Sequence, residues 1–166
     1  MSRARTLANF GDGVGAADLD STLDLTGKTV TLPSGVGGKV LQVVQATTAS
    51  AGSASANNWQ TIVSVNITPS STSSKILLMA HSVIDNVTGS NETGLRFRRD
   101  STALTVYGAY ASWHYSTARY QDGLHISYVD GPSSTSVIDY NIQLLGAGGG
   151  QRDYYGGYII AMEIAG

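Results

Sequence analysis

The stretch that decides the fold closes the chain and reads GGYIIAMEIAG over residues 156–166. Its side chains alternate with the period of two that a β-strand requires. One face carries Tyr158, Ile160, Met162 and Ile164, and the other carries Ile159, Ala161 and Glu163. Chain ends usually fray unless a sheet or a partner holds them. The pattern therefore predicts a strand buried in the middle of a sheet or against neighbouring subunits.

The composition favours an all-β protein that hides surface in an assembly. The 166 residues fit one domain plus an arm. Charged residues make up only 13% of the chain, against the roughly 25% that is usual in globular domains. Glycine and tyrosine are frequent, with 20 and 9 residues. Since a monomer normally relies on surface charge for solubility, the low charge indicates contact with other subunits.

Several function classes are disfavoured by the same numbers. A net charge of −2 argues against nucleic-acid binding. The absence of cysteine excludes disulfides and thiolate metal sites. No apolar run approaches the ~20 residues that span a membrane, so no membrane insertion is expected. Residues 1–5 lack the apolar core of a signal peptide, which predicts synthesis in a host cytoplasm.

Residues 1–38 are predicted to form an extended N-terminal arm and linker. Glycine-rich segments interrupt any periodicity there, and the one candidate helical turn is too short to be stable alone. We expect the arm to be ordered by contact with a partner rather than by a core of its own. Its predicted contact residues are Arg3, Arg5, Phe10, Leu19, Leu23 and Leu25.

Residues 39–166 are predicted to form an antiparallel β-sandwich or jelly-roll head. Alternating apolar patterns and turn signals mark about eight strands, over residues 40–45, 59–68, 75–84, 93–99, 103–107, 124–130, 137–145 and 158–166. The small-residue stretch 46–58 and the glycine-rich stretch 146–157 are predicted to be surface loops. Strand 75–84 is apolar on both faces, which is typical of a central strand covered on both sides.

No catalytic or cofactor motif is present. The glycine runs at 11–15 and 146–150 lack the strand–loop–helix context of a phosphate site. The histidines lack the spacing of metal ligands, although they could converge in a trimer. There is no G-x-S-x-G motif, and the acidic residues mostly stand singly. We predict a protein that is not an enzyme and holds neither metal nor cofactor.

The aromatic stretch 107–120 is the best candidate for surface recognition. Its candidate contact residues are Tyr110, Trp113, Tyr115 and Tyr120. Such side chains suit both stacking on a glycan and packing in the core or against a subunit, and both alternatives stay open. A small basic face could meet a partner's acidic groups or be solvated, and it comprises Arg96, Arg98 and Arg99.

Six segments resemble those of small structural proteins of tailed bacteriophages, above all phages of aquatic hosts, including cyanophages. They read MSRAR at 1–5, GKVLQVV at 38–44, ITPSSTSSKILL at 67–78, RRDST at 98–102, YVDGPSS at 128–134 and AMEIAG at 161–166. These segments are turns and strands, not catalytic motifs. The resemblance implies a head-decoration, head-fibre or tail-fibre protein with a β-sandwich or jelly-roll head. Such a head is often trimeric and is joined to the virion by an N-terminal arm.

The leading hypothesis is a trimeric capsid decoration (cement) protein located in the virion. Its arm would bind the major capsid protein or another virion protein, and its head would stabilise the shell. The short chain favours this reading, since a tail fibre usually has a long shaft. The alternative is a short tail fibre or receptor-binding tip whose aromatic loop contacts a host surface glycan. A glycan-active enzyme is a third and weaker hypothesis.

Overall fold

The computed structural model describes residues 39–55, 57–86, 91–104, 112–116, 120–147 and 151–166. These residues form nine strands and no helix. In chain order they are β1 (Val40–Ala54), β2 (Trp59–Ile67), β3 (Lys75–Asn86), β4 (Asn91–Arg99), β5 (Thr102–Leu104), β6 (Ser112–Ser116), β7 (Tyr120–Asp130), β8 (Ile138–Ala147) and β9 (Arg152–Ile164).

The strands form two antiparallel sheets with jelly-roll topology. The first sheet has the order β1-β9-β3-β7, and the second has the order β2-β8-β4-β5, with β6 also paired to β4. The first strand therefore pairs with the last, the second with the second-last and the third with the third-last. This is the arrangement produced when one long hairpin is rolled into two sheets. The predicted all-β sandwich of jelly-roll type is confirmed.

The core lies between the inner faces of the two sheets. The first sheet contributes Ile76, Leu78 and Ile84 of β3, and the second contributes Phe97 of β4 and Ile142 of β8. All five side chains are fully buried. Full burial of such a side chain contributes about 1.5–3 kcal/mol to stability. The alternation that predicted these strands thus reflects one face of each sheet turned toward a shared core.

Strand β9 lies in the middle of the first sheet, as its sequence predicts. It pairs with β1 on one side and with β3 on the other. Ile159, Ala161 and Glu163 point into the sandwich and are fully buried, so the alternate residues point outward. The backbone N–H of Ala165 donates to the carbonyl oxygen of Lys39 at 2.7 Å, which holds the end of the strand beside the start of β1.

Two predicted loops prove to be largely strand. Strand β1 continues to Ala54, through most of the stretch 46–58, and β9 begins at Arg152, inside the stretch 146–157. Their ends pair with each other around bulges, and Gly156 has a left-handed φ of +77° there. A Cβ at Gly52 would collide with the hydroxyl of Tyr154. Small residues occur here because a tyrosine packs across the strand pair, so they do not mark a loop.

Candidate interaction surface

The outer face of the first sheet is apolar and partly exposed. Four hydrophobic side chains on its two edge strands are about half exposed, at 51% for Val40, 47% for Leu41, 54% for Val43 and 57% for Val129. The central strands β3 and β9 add half-buried side chains on the same side, namely Leu77, Met79, Tyr158, Ile160 and Met162. Single exposed hydrophobics are ordinary, but a contiguous patch marks a site of interaction.

The strand register arranges this surface in three rows of four residues across β1, β9, β3 and β7. The first row is Val43, Met162, Leu77 and Val129; the second is Gln45, Ile160, Met79 and Ser127; the third is Thr47, Tyr158, His81 and His125. We call these three rows the apolar face. Side chains directly opposite each other on paired strands lie about 5 Å apart, so the rows form one continuous surface. None of the twelve residues is an Asp, Glu, Lys or Arg.

Two histidines are brought together in the third row. The ring centroids of His81 and His125 lie 4.3 Å apart with the planes tilted by 34°, and the ring of Tyr158 lies 5.7 Å from that of His81. Burial, followed by the charge of His125, lowers the pKa of His81. Because an unperturbed histidine already titrates near 6.5, His81 is predominantly uncharged at neutral pH. The sequence could not show this pair, since its two residues are far apart in the chain.

The outer face of the second sheet has the opposite character. The Arg96 guanidinium stacks 3.9 Å above the Trp59 ring, and its Nε donates to Gln143 Oε1 at 2.9 Å. Gln143 in turn donates to Thr61 Oγ1 at 3.2 Å. Asn141 is nearly buried on the same face and donates to an oxygen of Asp139 at 3.0 Å. Most of their polar atoms are paired within the chain, although the buried Oδ1 of Asn141 has no partner among the described residues, and the face they form is polar.

The three arginines of the predicted basic face have different surroundings in the structure. Arg96 belongs to the ladder with Gln143, and Arg99 forms an ion pair with Asp130 at 2.9 Å. Both arginines find partners inside the same chain. Arg98 is half-buried. The three residues do not form one surface committed to a partner, because β4 alternates and Arg99 turns toward the first sheet.

A buried carboxylate joins three parts of the first sheet. Glu163 of β9 is fully buried and accepts hydrogen bonds from Ser74 Oγ and Gln42 Nε2 at 2.6 Å each, and from the N–H and Oγ of Ser70 at 2.7 Å each. Burial alone raises the pKa of this carboxyl, but the hydrogen bonds from Ser74, Gln42 and Ser70 outweigh it and lower the pKa to about 2. Glu163 thus ties β9 to β1 and to the β2–β3 connection.

Two further polar contacts join the sheets. Arg152 of β9 is fully buried, and its Nε donates to Thr93 Oγ1 of β4 at 2.8 Å. Tyr140 of β8 is fully buried and donates to Asp130 Oδ2 of β7 at 2.6 Å. Burial, then the hydrogen bond and charge of Asp130, raise the pKa of the Tyr140 phenol. Each of these buried groups has a hydrogen-bond partner within the chain, so we assign them a role in stability.

Replacing Tyr140 with Phe is expected to lower the free energy of unfolding by about 1–2 kcal/mol, because a buried hydrogen bond to a charged acceptor is lost. Urea unfolding followed by fluorescence measures this change. Tyr128→Phe, at a half-buried position of β7, is the matched control. Equal stability of Y140F and the parent chain would show that the hydroxyl contributes nothing.

Most of the predicted contact residues fall outside the described structure. That group comprises Arg3, Arg5, Phe10, Leu19, Leu23, Leu25 and Tyr110. Trp113 and Tyr115 lie in β6, opposite Gly94 and Glu92 of β4, and Tyr120 is the first residue of β7. The residues of β6 therefore belong to the second sheet and not to the apolar face. Sequence reasoning missed that face because it requires the register of four strands.

The described residues contain neither a cluster of metal ligands nor a membrane-spanning helix. No three His, Asp or Glu side chains in the described ranges are placed to share a metal ion. In the same part of the chain there is no helix of the length and hydropathy needed to cross a lipid bilayer.

Comparison with known proteins finds similarity at the level of fold. No protein-family model matches the chain, and no curated protein matches its sequence. A chain from the structure of infectious bursal disease virus strain Gx is similar at TM-score 0.51 and 14% identity, and one from strain Gt at 0.52 and 13%. Each covers 80% of this chain, which spans only 37% of the viral one. The VP2 subviral particle of the same virus is similar at TM-score 0.48 and 13% identity, over 90% of this chain and 42% of VP2. The similarity to the chains from strains Gx and Gt supports the jelly-roll fold.

Proposed function

We propose that the chain is a structural protein of a virion, of the capsid-decoration type, from a tailed bacteriophage. Its head, residues 39–166, forms a homotrimer, and residues 1–38 bind the major capsid protein or another virion protein. Binding by several arms at once fastens the head across neighbouring shell subunits and stabilises the shell by multivalency. The phage, the trimer and the decoration role come from the sequence resemblance.

The observation that carries the proposal is a jelly roll in which one sheet presents the apolar face, three rows without a charged side chain, on its outer side. Buried carboxylates such as Glu163 and Asp130 are engaged in structural hydrogen bonds. The apolar face is suited to contact with another protein surface. Viral capsid chains share the fold, which supports a role in a particle.

Deleting residues 1–38 is expected to abolish binding to undecorated particles while leaving a folded head, since the core and both sheets lie within the described residues from 39 onward. Co-sedimentation with particles measures the binding, and circular dichroism measures the fold. A second variant, the full-length chain carrying Arg3→Ala and Arg5→Ala, distinguishes the contribution of the arm's charges to binding from that of its length.

Retained binding by the deletion variant would overturn the role of the arm. Binding of the isolated head to host cells, with inhibition of infection, would instead support the receptor-binding tip. The stretch 107–120 would then be the region to mutate.

A further inference from the structure

We infer that the apolar face is the surface through which copies of this chain associate, with the His81–His125 pair inside the contact. The inference deepens the proposed homo-oligomer by naming its surface, and it rests on that proposal.

The absence of charge on the apolar face favours an identical partner. A surface that carries a net charge repels its own copy, whereas a partner of different chemistry is usually selected by opposite charge. The twelve residues of the face include no ionic side chain, and its polar members are hydroxyl, amide and imidazole groups that can pair with their own kind. The charged side chain Lys75 and the carboxylate of Asp85 lie on β3 beyond the two ends of the three rows.

The edge of the first sheet points to the same partner. β1 has 15 residues without a charge or a proline. Among the described strands it pairs only with β9. Edge strands are normally protected by lysine, proline or a short length, since a bare edge recruits other chains. The edge of β1 adjoins the apolar face, so the two form one continuous surface. Contact with a partner would bury both.

The three rows span five residues on each of the four strands. Strands about 4.8 Å apart and residues of about 3.3 Å each give them a projected area of roughly 320 Å². Side-chain relief and the edge of β1 increase the accessible area toward the ~800 Å² that each partner contributes to a standard interface. On the other outer face, the described side chains Arg96, Gln143 and Thr61 form a ladder of hydrogen bonds and not an apolar area.

The histidine pair makes this contact sensitive to acid. His81 faces His125 of β7 and Tyr158 of β9, and a Cβ at Gly123 would lie 2.9 Å from His81 Nε2. The carboxylates of these strands are engaged elsewhere: Asp85 lies 3.4 Å from the Tyr155 hydroxyl, and Asp122 accepts from the Gly123 N–H. Protonation would therefore place positive charge in an apolar contact without a compensating carboxylate.

The test is the mass of the full-length chain in solution, by sedimentation velocity at pH 7.5. The parent chain is expected to be an oligomer. Met79→Glu, in the centre of the face, is expected to raise the dissociation constant at least ~100-fold, since it buries an unpaired charge. Ser64→Glu, an exposed position of β2 in the second sheet, is the control and is expected to keep the parent mass.

Val43→Glu provides a second variant in case M79E fails to fold, because Val43 is 54% exposed and tolerates a charge in the single subunit. A monomeric parent chain would overturn the inference, and so would a folded M79E or V43E with the parent mass. If the parent chain is monomeric and its apolar face is protected from chemical labelling, another segment of the chain or another protein covers that face. Failure to find the protein in virions would overturn the proposed function while leaving this result standing.

Lowering the pH from 7.5 to 5 is expected to raise the dissociation constant of the parent oligomer at least ~10-fold, because protonation of the His81 imidazole places a positive charge in the contact. The double variant His81→Gln, His125→Gln is expected to keep its mass over the same range. A parent mass that is unchanged at pH 5 would contradict the position of the histidine pair in the contact.

Discussion

Deleting residues 161–166 is expected to abolish cooperative folding. These residues form the end of β9, which lies between β1 and β3, so their loss removes backbone hydrogen bonds on both sides of a central strand. The deletion also removes the fully buried Ala161 and the Glu163 carboxylate that accepts from three side chains. A typical domain is stabilised by only about 5–15 kcal/mol, so losing these contacts together is expected to unfold it. Circular dichroism and thermal melting measure the result.

A deletion of Gly166 alone is the matched control, because this residue follows the strand and is exposed. It is expected to melt close to the parent temperature. A cooperative transition in the chain that lacks 161–166 would contradict the placement of β9 at the centre of the first sheet.

Replacing Glu163 with Leu is expected to lower the free energy of unfolding by about 3 kcal/mol or more. The change leaves the buried hydroxyl of Ser74 without its acceptor, and an unsatisfied buried donor costs about 1–3 kcal/mol. It also removes the part-buried hydrogen bonds from Ser70 and Gln42 to the carboxylate, which contribute about 1 kcal/mol each or more. Chemical unfolding at pH 7 measures the loss. Asp153→Asn, at a less buried carboxylate of the same strand, is the control.

The same carboxylate predicts the acid stability of the fold. Its pKa is lowered in the folded protein from 4.5 to about 2, so the unfolded chain binds the proton more tightly than the folded one. Its contribution is therefore complete above pH 4.5 and is lost as the pH falls toward 2. Glu163→Gln retains one oxygen acceptor and is expected to flatten this part of the stability curve. An identical acid slope in E163Q and the parent would contradict the assignment.

The sequence predicts the elements well where one face of a strand is buried. Alternation located β2, β3 and β8 within a few residues, because each places a regular series of apolar side chains in the core. It fails where packing is made by small residues. The end of β1 is rich in Gly, Ser and Ala, and at Gly52 the Tyr154 side chain of β9 needs the space, so composition alone predicted a loop there.

The candidate site could be predicted only in part. The sequence of β3 is apolar on both faces, which predicts a central strand covered on both sides; the strand is central in its sheet, and the cover of its second face stays a prediction. The partners of that face are set by register, since Met162, Leu77 and Val129 lie in one row although they are far apart in the chain. The same holds for the His81–His125 pair and for the donors around Glu163. Local periodicity carries no information about which residues of distant strands stand opposite each other.

The most direct test of the central claim is a reconstruction of virions at a resolution that traces strands. We expect many copies of this jelly roll on the capsid, with the apolar faces of neighbouring copies in contact and residues 1–38 bound to the shell. Virions without this chain, or copies whose apolar face is open to solvent, would contradict it.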